Sequence, residues 1–383
     1  MKRPTWCRDV MDELHLLIDR VDVFGVAVPL VGGGFRNAYT TKTTQKSAIV
    51  RLTASDGSVG LGNIDPSPGY SVETVEQSLA AIRQVLAPCV QRMNAGNPHR
   101  LLDAMDRAID GYLDAKAAIE MAAVDLLARK LGIPVHQYLG GKVTDTVSFN
   151  AWIGIVSPDE AAAEARKWFE RGFRSAKVKV GGGIHKDRDR LIAVREAVGG
   201  EFALRADANA GYDVDDAIAL GHLLEPVGLQ LLEQPVAADD LAGMAKVRGA
   251  IGIRVMADES ITDHRSLIDV IRADCADIVK LKVMKQGGLL RCRRMLETAT
   301  AAGLPVVIGH GFGLGVNTHA EIMLACTSAN VLAGLECVGP LKTTDDIVTS
   351  KLDLTSGSID VPQGPGLGVT LDEEKVRRYL FDA

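Results

Sequence analysis

Three carboxylates follow one another along this chain at nearly equal spacing. Asp207, Glu233 and Asp258 are separated by 26 and 25 residues, and each ends a short apolar run. About 25–30 residues is the length of one strand followed by one helix, so each acid would close a strand of a parallel β/α repeat. In an eight-stranded β/α barrel these strand ends meet at one mouth, where such barrels carry their chemistry. Three carboxylates at one place require a cation, and ligation by oxygen alone favours Mg²⁺ or Mn²⁺.

Two pairs of lysines flank these acids in the sequence. Lys177 and Lys179 lie two residues apart in one strand candidate, and Lys280 and Lys282 lie two apart in another. Residues two apart share a face of a strand, so each pair projects to one side. A lysine that faces a barrel interior is costly unless it is paired or functional, although a pair on an exposed edge strand gives the same pattern. In a barrel, these two strands are the second and the sixth, and they face each other across the mouth.

Two lysine walls around a metal site predict proton transfer at carbon. A carbon α to a carboxylate is a very weak acid, and a free lysine is a weak base for it. A metal ion that holds the carboxylate neutralises the charge of the enediolate as it forms. The cation and a second lysine lower the pKa of the basic lysine towards neutrality. One lysine on each face permits removal of a proton from one side and its delivery to the other.

Further polar residues end the same strands and are predicted to line the pocket. Asn209 shares its strand face with the first of the three acids and is a candidate to hold an oxygen near the metal. Glu259 is predicted to bond a lysine or the sixth strand. His310 and Glu336 end the seventh and eighth strand candidates, either as generic polar caps or, as the other charged strand ends favour, as pocket residues. Trp152, at the end of the first strand, could contribute to a cation cage.

The elements that must position these residues alternate regularly from about residue 147 onwards. Amphipathic helical stretches such as 158–171 and 289–302 separate the strand candidates. Eight strands in alternation predict an α/β fold, a (β/α) barrel of the TIM type, rather than an open sheet. The strand candidates are 147–155, 175–180, 201–208, 229–235, 253–259, 276–283, 304–310 and 332–338.

The N-terminal part is predicted to be an α+β capping domain. A strand candidate at 21–30 precedes a hairpin of 45–53 and 58–64 around Asp56-Gly57, a strong turn signal. Between them, three consecutive glycines predict a mobile loop. Helical patterns follow at 71–93, 97–109 and 113–131. We predict a capping domain at 1–144 with a lid loop at 31–44, a modified barrel at 145–338, and a C-terminal segment at 339–383 that packs back on the cap.

Bulk composition limits the partners and the compartment. The 383 residues are 47% hydrophobic and 24% charged, which is typical of a soluble globular protein. A net charge of −6 gives no sign of a nucleic-acid or membrane surface. No secretory signal or membrane span is visible, and the six cysteines are scattered without a Cys-x-x-Cys pair. We therefore expect a cytoplasmic protein with reduced, mostly buried thiols. The expected partner, a small carboxylate substrate, follows instead from the carboxylates and lysines at the strand ends.

The ordered motifs resemble the enolase superfamily, in particular its mandelate racemase/muconate-lactonizing-enzyme group. The resemblance begins near residue 18 and covers nearly the whole chain. Any one motif is weak, but all of them occur in the expected order. They are Lys177-x-Lys179, Asp207-x-Asn209, Glu233-Gln-Pro235, Ala257-Asp258-Glu259-Ser260 and Lys282 placed five before Gly287-Gly288, together with Ala117-Ala-Ile-Glu120, Gly132-Ile-Pro134 and Leu139-Gly-Gly141.

The resemblance implies a role for each of the central residues. Asp207, Glu233 and Asp258 would be ligands of Mg²⁺, and the catalytic acid/base pair would be Lys179 and Lys282. Lys177 would assist Lys179 electrostatically. The N-terminal domain would cap the barrel, with the glycine loop as a lid that excludes water and sets specificity. The resemblance also makes a homo-oligomer, a dimer or an octamer, the expected assembly.

Four features depart from the family pattern and leave the substrate open. Asn63 stands where many members carry an acid, and Lys280 stands where an uncharged residue such as Asn is common. A third lysine there could alter a neighbouring pKa or bind a second anionic group. The stretch Glu336-Cys-Val lacks the Asp-x-Asp of dipeptide epimerases, and His310-Gly-Phe312 replaces the small residues that lactonizing enzymes usually show.

We therefore predict an isomerase that abstracts the proton α to a carboxylate: a racemase, an epimerase or a muconate-type cycloisomerase. An alternative is a lyase in which the same enediolate expels a leaving group that His310 or Lys280 protonates. A remote alternative is a non-catalytic binder on a barrel that has lost its chemistry.

Overall fold

The computed structural model describes residues 16–36, 41–67, 69 and 71–381 of the chain. Its strands are β1 (Ile18–Pro29), β2 (Phe35–Arg36), β3 (Thr41–Lys42), β4 (Thr44–Ala54), β5 (Val59–Ile64), β6 (Thr146–Ser148), β7 (Ala151–Ile153), β8 (Ser175–Lys179), β9 (Ala203–Asp207), β10 (Leu231–Glu233), β11 (Val255–Ala257), β12 (Ile278–Leu281), β13 (Val306–Ile308) and β14 (Ser358–Asp360). Its helices are α1 (Val75–Ala81), α2 (Ala87–Val90), α3 (Pro98–Ala108), α4 (Leu113–Lys130), α5 (Val135–Tyr138), α6 (Pro158–Glu170), α7 (Ile184–Val198), α8 (Val214–Leu224), α9 (Leu241–Ala250), α10 (His264–Ala273), α11 (Leu289–Ala301), α12 (Gly315–Ala325), α13 (Gly339–Lys342) and α14 (Glu373–Tyr379). A π-helical stretch, Ile82–Leu86, joins α1 to α2.

An antiparallel sheet in the order β1-β4-β5 is the centre of the N-terminal part. Strands β4 and β5 are the predicted hairpin, and Gly57 at its turn has a φ of 83°, which favours glycine. Ser58 donates its backbone N–H to the Asp56 carboxylate within this turn. The hairpin and its Asp-Gly turn are therefore confirmed.

Helix α4 packs directly against β5 and is buried along most of its length. A Cβ atom on Gly60 or Gly62 would approach the carbonyl oxygens of Ala122 and Ala118 to 2.0 and 1.9 Å. Only glycine permits a helix and a strand to lie this close. The two glycines before Asn63 are thus explained by packing within the cap.

Polar side chains that end β5 connect the cap to helix α12 of the barrel. The Asn63 Oδ1 accepts the backbone N–H of Asn317 at 3.2 Å, in the first turn of α12. Asp65 accepts the N–H of Leu314 at 3.3 Å and the side-chain amide of Asn317 at 3.0 Å. The asparagine that departs from the family pattern therefore binds an otherwise unbonded helix N–H, which anchors the cap on the barrel.

Seven parallel strands, β7 to β13, form a curled sheet in which each strand pairs with the next in the chain. Helices α6 to α11 connect them, which is the β/α alternation that the sequence predicts. Residues 331–336 close the gap between β13 and the first strands. Leu332 and Glu336 donate their N–H groups to Val306 and Ile308, and Asn150 donates to Leu335. The predicted fold class, a TIM-type α/β barrel with an α+β cap, is confirmed.

Two of the predicted barrel strands are wrong in detail. The candidate at 147–155 is divided into β6 and β7, because β6 pairs with β14 and only β7 joins the parallel sheet. The candidate at 332–338 makes isolated bridges instead of a regular strand. Gly334 has a φ of 84°, which interrupts the extended backbone, and its carbonyl accepts a bond from Arg205. The eighth position of the barrel is thus filled by irregular chain.

The predicted lid loop, 31–44, contains a short antiparallel pair of strands, β2 with β3. Gly32 and Gly33 before it have φ values of 69° and 82°. Residues 37–40, which include Tyr39 at the end of the predicted glycine loop, lie outside the described residues. The lid function of this loop stays a prediction.

The C-terminal segment contacts both parts of the molecule. Strand β14 pairs with β6, and Leu380 bridges Val26 of β1. The exact domain boundaries stay a prediction. The described cysteines are free thiols and all but Cys89 are buried, whereas Cys7 lies outside the described residues. Among the described helices, none has the length and apolar character needed to cross a bilayer.

Candidate active site

The three predicted carboxylates come together at the carboxyl ends of adjacent strands. Asp207 and Glu233 are the last residues of β9 and β10 and are direct partners in the sheet. Asp258 follows the last residue of β11, the next strand. All three are inaccessible to solvent. We call Asp207, Glu233 and Asp258 the acid row.

Lys177 and Lys179 of β8 both project towards the acid row. The Lys179 ammonium donates to the Asp207 Oδ2 at 2.7 Å. The Lys177 ammonium lies 2.9 Å from the same oxygen and 3.0 Å from the Glu233 Oε2. The two lysines thus share a face of the strand, as predicted, and contact the acid row from one side.

Lys280 and Lys282 repeat this arrangement from the opposite wall. Lys280, in β12, donates to the Glu233 Oε1 at 2.9 Å, and Lys282, one residue past β12, donates to the Asp258 Oδ2 at 2.7 Å. Lys280 also contacts Glu336. We call the acid row together with Lys177, Lys179, Lys280 and Lys282 the floor of the pocket.

The floor has an approximate symmetry about Glu233. Lys179 and Lys282 each contact one outer acid of the row, whereas Lys177 and Lys280 both contact the central Glu233. The Glu336 carboxylate accepts a hydrogen bond from the Lys177 ammonium at 2.5 Å and another from the Lys280 ammonium. Glu336 thus binds the same two lysines as Glu233. The outer lysines therefore lie at the two ends of the row, on opposite sides of the central acid.

The lysines determine the ionisation of the outer acids. Burial raises the pKa of Asp207, but the charges of Lys177 and Lys179 outweigh it and bring the pKa to about 2. Burial also raises the pKa of Asp258, but the charges of Lys282, Lys285 and Lys280 outweigh it and hold this pKa well below its usual range. At Glu233, burial and the neighbouring Asp207 carboxylate raise the pKa to about 8. Repulsion between carboxylates is therefore strongest at the middle of the row.

The donor set of the acid row fits a divalent metal ion. Three buried carboxylates on neighbouring strands supply the oxygen ligands that Mg²⁺ and Mn²⁺ prefer. Within the described ranges, no three His, Cys, Asp or Glu side chains are already gathered as a metal cluster. Ammonium groups at 2.7–3.0 Å hold the positive charge beside the row instead.

Asn209 and Glu259 form a chain of hydrogen bonds with Lys179 beside Asp207. The Lys179 ammonium donates to the Asn209 Oδ1 at 2.5 Å, and the Asn209 amide donates to the Glu259 Oε1 at 3.0 Å. Asn209 has a φ of 45°, a left-handed conformation that asparagine tolerates. Both residues thus lie around the floor, and the charge of Lys282, which follows the sixth strand, also acts on Glu259.

His310 and Trp152 reach the pocket above the floor. The His310 Nε2 lies 3.0 Å from the carbonyl oxygen of Asp65, and its backbone N–H donates to Glu321. Burial, followed by the charges of Lys282 and Lys42, holds the pKa of His310 well below its usual range. His310, Trp152 and the four lysines of the floor line one pocket that opens to solvent. It is lined by Asn150, Ala151, Trp152, Ile153, Gly154, Lys177, Lys179, Lys280, Lys282, His310, Gly311, Phe312, Glu336, Val338 and Lys342.

Two charged residues that lie beside the floor are not among the residues predicted from the sequence. Arg205 is fully buried in β9 and donates to Glu336 at 3.2 Å. Lys285 donates to the carbonyl oxygen of Asp258 at 2.8 Å. Arg205 shares its strand face with Asp207, so the parity that identified the other strand residues also applied to it. Lys285 comes after its strand has ended, where strand parity gives no signal.

The mouth of the pocket has a separate group of residues. The Lys342 ammonium lies 4.5 Å from the ring centroid of Trp152 and 4.2 Å from that of Phe312. The Lys42 ammonium lies 3.6 Å from the Phe312 centroid. We call Lys42, Trp152, Phe312 and Lys342 the rim. Of these, the sequence predicted only Trp152.

Comparison with known protein families shows which family this chain belongs to. Residues 160–375 match the family described as Enolase C-terminal domain-like, and residues 20–140 match the Mandelate racemase / muconate lactonizing enzyme, N-terminal domain. The chain belongs to the enolase superfamily. The N-terminal match identifies the muconate-lactonizing-enzyme-like group within it, so the resemblance seen in the motifs is confirmed.

Named members of the enolase superfamily match this chain over nearly its full length. An L-Ala-D/L-Glu epimerase of Bacillus subtilis is 32% identical over 92% of this chain and 96% of its own. A chloromuconate cycloisomerase of Cupriavidus pinatubonensis is 32% identical over 88% of this chain and 91% of its own. A crystal structure of a dipeptide epimerase of Cytophaga hutchinsonii, complexed with Mg and the dipeptide D-Ala-L-Val, has a TM-score of 0.91 at 28% identity, over 96% of this chain and 99% of that one.

These relatives are isomerases, and this enolase-superfamily chain is an isomerase as well. The interpretation as a non-catalytic binder is not supported. Membership of the family also implies a divalent metal, for which the acid row has the fitting donor set.

Proposed function

We propose that this isomerase is a Mg²⁺-dependent racemase or epimerase that moves the proton of a carbon α to a carboxylate from one face of that carbon to the other. Asp207, Glu233 and Asp258 hold the metal. Lys179 and Lys282 are the two bases. The small carboxylate substrate lies between them, below Trp152 and His310.

One observation carries this proposal: the two outer lysines contact opposite ends of the acid row at equal distance. The Lys179 and Lys282 ammonium groups each lie 2.7 Å from a carboxylate oxygen of Asp207 and Asp258, respectively. A substrate carboxylate held at the row therefore has one lysine on either side of its α-carbon. A single-face reaction needs only one such base, whereas inversion needs both.

Each side chain of the floor has a definite task in the proton transfer. Bound Mg²⁺ supplies positive charge that stabilises the negative charge spreading over the substrate carboxylate. Neutral Lys179 takes the α-proton, which breaks the C–H bond, and the ammonium of Lys282 gives a proton to the opposite face. The roles reverse for the other stereoisomer. Lys177 and Lys280 keep positive charge beside Glu233 and Glu336 throughout the reaction.

The contacts of Lys280 and His310 weigh against the lyase alternative. A lyase needs an acid that protonates the leaving group. Lys280 is ion-paired with Glu233 and Glu336, and the His310 Nε2 lies within hydrogen-bond distance of the Asp65 carbonyl. Lys179 and Lys282 are ion-paired as well, so the stronger support against a lyase is that the named relatives are epimerases, racemases and cycloisomerases.

Proton exchange in D₂O tests the proposal. The Mg²⁺-loaded enzyme is incubated with N-acyl amino acids, dipeptides, hydroxy acids and cis,cis-muconate, and deuterium is read by NMR and mass spectrometry. We expect exchange at the α-carbon with inversion and unchanged connectivity. Loss of mass would instead identify a lyase, and formation of a lactone from muconate without exchange elsewhere would identify a cycloisomerase. Either result would overturn the racemase or epimerase assignment.

A further inference from the structure

The strand that carries Lys179 runs directly into three consecutive glycines. Gly181, Gly182 and Gly183 begin two residues after Lys179, and both Gly181 and Gly183 have a φ of 110°. Glycine has more accessible backbone conformations than any other residue, so such a stretch is mobile unless other groups bind it. We call these three residues the strand-end glycines. The position of Lys179 depends on what holds them.

The carboxylate of Asp187, in the first turn of α7, binds the strand-end glycines. Its Oδ2 accepts the backbone N–H groups of Gly181 and Gly182, each at 2.9 Å. Asp187 is inaccessible to solvent. Hydrogen bonds to an ionised carboxylate are stronger than those between neutral groups. This buried acceptor therefore restricts the backbone that follows Lys179.

Arg190, one turn further along α7, binds to Lys179 itself. Its Nη1 donates to the backbone carbonyl oxygen of Lys179 at 3.1 Å and to the Asp187 Oδ1 at 2.5 Å. Its Nε donates to the carbonyl oxygen of Val156, in the loop after β7, at 2.7 Å. The planar guanidinium holds its donors in a fixed geometry. It thus joins the ends of β7 and β8 to one buried helix.

Tyr212 connects the same group to the strands of the acid row. Its hydroxyl donates to the Asp187 Oδ2 at 2.5 Å and accepts the N–H of Gly181 at 2.8 Å. Tyr212 lies in the loop after β9, and its backbone N–H donates to the carbonyl oxygen of Pro235, in the loop after β10, at 3.2 Å. One side chain therefore ties the end of β8 to the ends of the strands that carry the first two acids.

We propose that Asp187, Arg190 and Tyr212 are positioning residues that hold Lys179 in the right place beside the acid row for proton transfer. We call these three residues the support network. None of them is among the described residues that line the pocket, so they act through Lys179 and not on the substrate. The role of Lys179 as a base rests on the proposed function.

The physical need for the support network follows from the side chain that it serves. A lysine ammonium lies at the end of a flexible four-carbon stem, so its position is accurate only when the backbone below it is fixed. A misplacement of about 1 Å can reduce a rate by about 10²-fold. Loss of the network should therefore slow proton transfer at Lys179 much more than it alters the fold.

The support network serves only one of the two walls. On the opposite wall, the backbone N–H of Lys282 donates to the Gln286 Oε1 at 2.6 Å, far along the sheet from β8. A weakened network should therefore slow the removal of the α-proton from one enantiomer and leave the other enantiomer unaffected. A general loss of stability would slow both.

Proton exchange of the separate enantiomers tests this asymmetry. Tyr212→Phe removes one oxygen atom, and Arg190→Met removes the bond to the Lys179 carbonyl. Each Mg²⁺-loaded variant is incubated in D₂O with each pure enantiomer of a substrate found in the panel above. Lys179→Ala identifies the enantiomer that gives its proton to Lys179. We expect exchange of that enantiomer to fall by about tenfold or more in both variants, and exchange of the other to change by less than about twofold.

Equal losses for both enantiomers, or no loss, would overturn the proposal when Lys179→Ala itself affects one enantiomer only. Tyr212→Phe decides the result if Arg190→Met does not fold, because its ring still fills the same space.

Arg195→Met is the matched control in the same helix. Arg195 also donates to backbone carbonyls, those of Val227 at 2.8 Å and Phe202 at 2.7 Å, but it lies in the last turn of α7. We expect this variant to be less stable and to keep the wild-type ratio of the two exchange rates. A shifted ratio in Arg195→Met would contradict the assignment, because any loosening of α7 would then have the same effect.

Amide hydrogen exchange separates this proposal from the proposed function. Exchange of the segment 177–183, followed by mass spectrometry, requires neither substrate nor turnover. We expect it to be faster in Tyr212→Phe and Arg190→Met than in the wild type and in Arg195→Met. Unchanged protection would overturn the support network whatever the enantiomers show. Faster exchange together with equal loss of both enantiomers in Lys179→Ala would support the network and overturn the two-base function.

Discussion

The floor and the rim of the pocket are built in different ways. Every residue of the floor lies within the last three residues of a parallel strand or directly after it, so the barrel itself fixes its position. The rim is assembled from β3 of the cap, β7 of the barrel, the turn after β13 and helix α13, and its two lysines are 300 residues apart. The residues proposed to transfer the proton thus lie on the regular part of the fold, whereas most of the rim lies outside the parallel strands.

The largest effect is expected from the centre of the floor. In Glu233→Gln, the middle ligand loses its charge, and we expect α-proton exchange to fall by about 10³-fold or more. The rise in melting temperature on addition of Mg²⁺ should disappear as well, because that rise reports metal binding to the native state. Glu201→Gln, at an exposed position before β9, is the control. A retained Mg²⁺ shift in Glu233→Gln would contradict the ligand assignment.

A smaller effect is expected from the turn that supports the sixth-strand wall. Gly288 has a φ of 115°, and a Cβ there would approach the Glu120 Oε2 to 2.2 Å. Glu120 accepts the first N–H groups of α11, from Leu289 and Leu290. Gly288→Ala should therefore lower the free energy of unfolding by about 2–4 kcal/mol, through backbone strain and the displaced carboxylate.

Urea unfolding measures this loss, with Gly303→Ala as its control. Gly303 also has a left-handed φ, of 72°, but no atom lies within 4 Å of its Cβ position. Its loss should be limited to backbone strain, about 1–2 kcal/mol. Equal losses in the two variants would show that the contact with Glu120 is unimportant.

The smallest effect is a pH dependence confined to the rim. The pKa of Lys42 in the free enzyme is about 7, below its usual value, so its charge is present below pH 7 and lost above it. The ratio of kcat/KM for a dianion over an analogue that lacks the second carboxylate should fall by about tenfold from pH 6 to pH 8, because the second charge loses the attraction of Lys42 and kcat/KM reports the free enzyme. Both substrates use the same floor, so its ionisation changes both kcat/KM values by the same factor and cancels in their ratio.

Other charged groups near Lys42 are part of this pH test. The groups that face it or line the adjoining groove are Asp65, His310, Lys342, Lys46, Glu73 and Glu76. If Lys42 is the group that titrates, Lys42→Met should flatten the profile of the ratio. A profile that persists in this variant would assign the pH dependence to another of these groups.

The sequence predicted the floor because strand ends recur with a period. Asp207, Glu233 and Asp258 each close one β/α unit, and Lys177 and Lys280 obey strand parity. These regularities need no knowledge of side-chain contacts. Arg205 obeys the same parity, but a lone arginine in a strand does not by itself indicate a bond to Glu336.

The sequence could not predict the rim for the opposite reason. Lys42 and Lys342 follow no shared period, and their proximity depends on how the cap docks on the barrel. The eighth strand was predicted wrongly because the apolar run around Leu335 resembles a strand, whereas the positive φ of Gly334 interrupts it. Helix α13, which carries Lys342, begins soon after this irregular stretch. Local pattern thus fails where tertiary contacts determine the backbone.

The most direct test of the account follows exchange in each stereoisomer separately. Lys179→Ala and Lys282→Ala are incubated in D₂O with the pure enantiomers of the preferred substrate, with Lys186→Ala, at an exposed position of α7, as the control. We expect each floor variant to introduce deuterium into only one enantiomer, the opposite one in each case, and neither variant to invert the α-carbon. Exchange of both enantiomers by either variant, or inversion at the wild-type rate, would contradict the two-base floor.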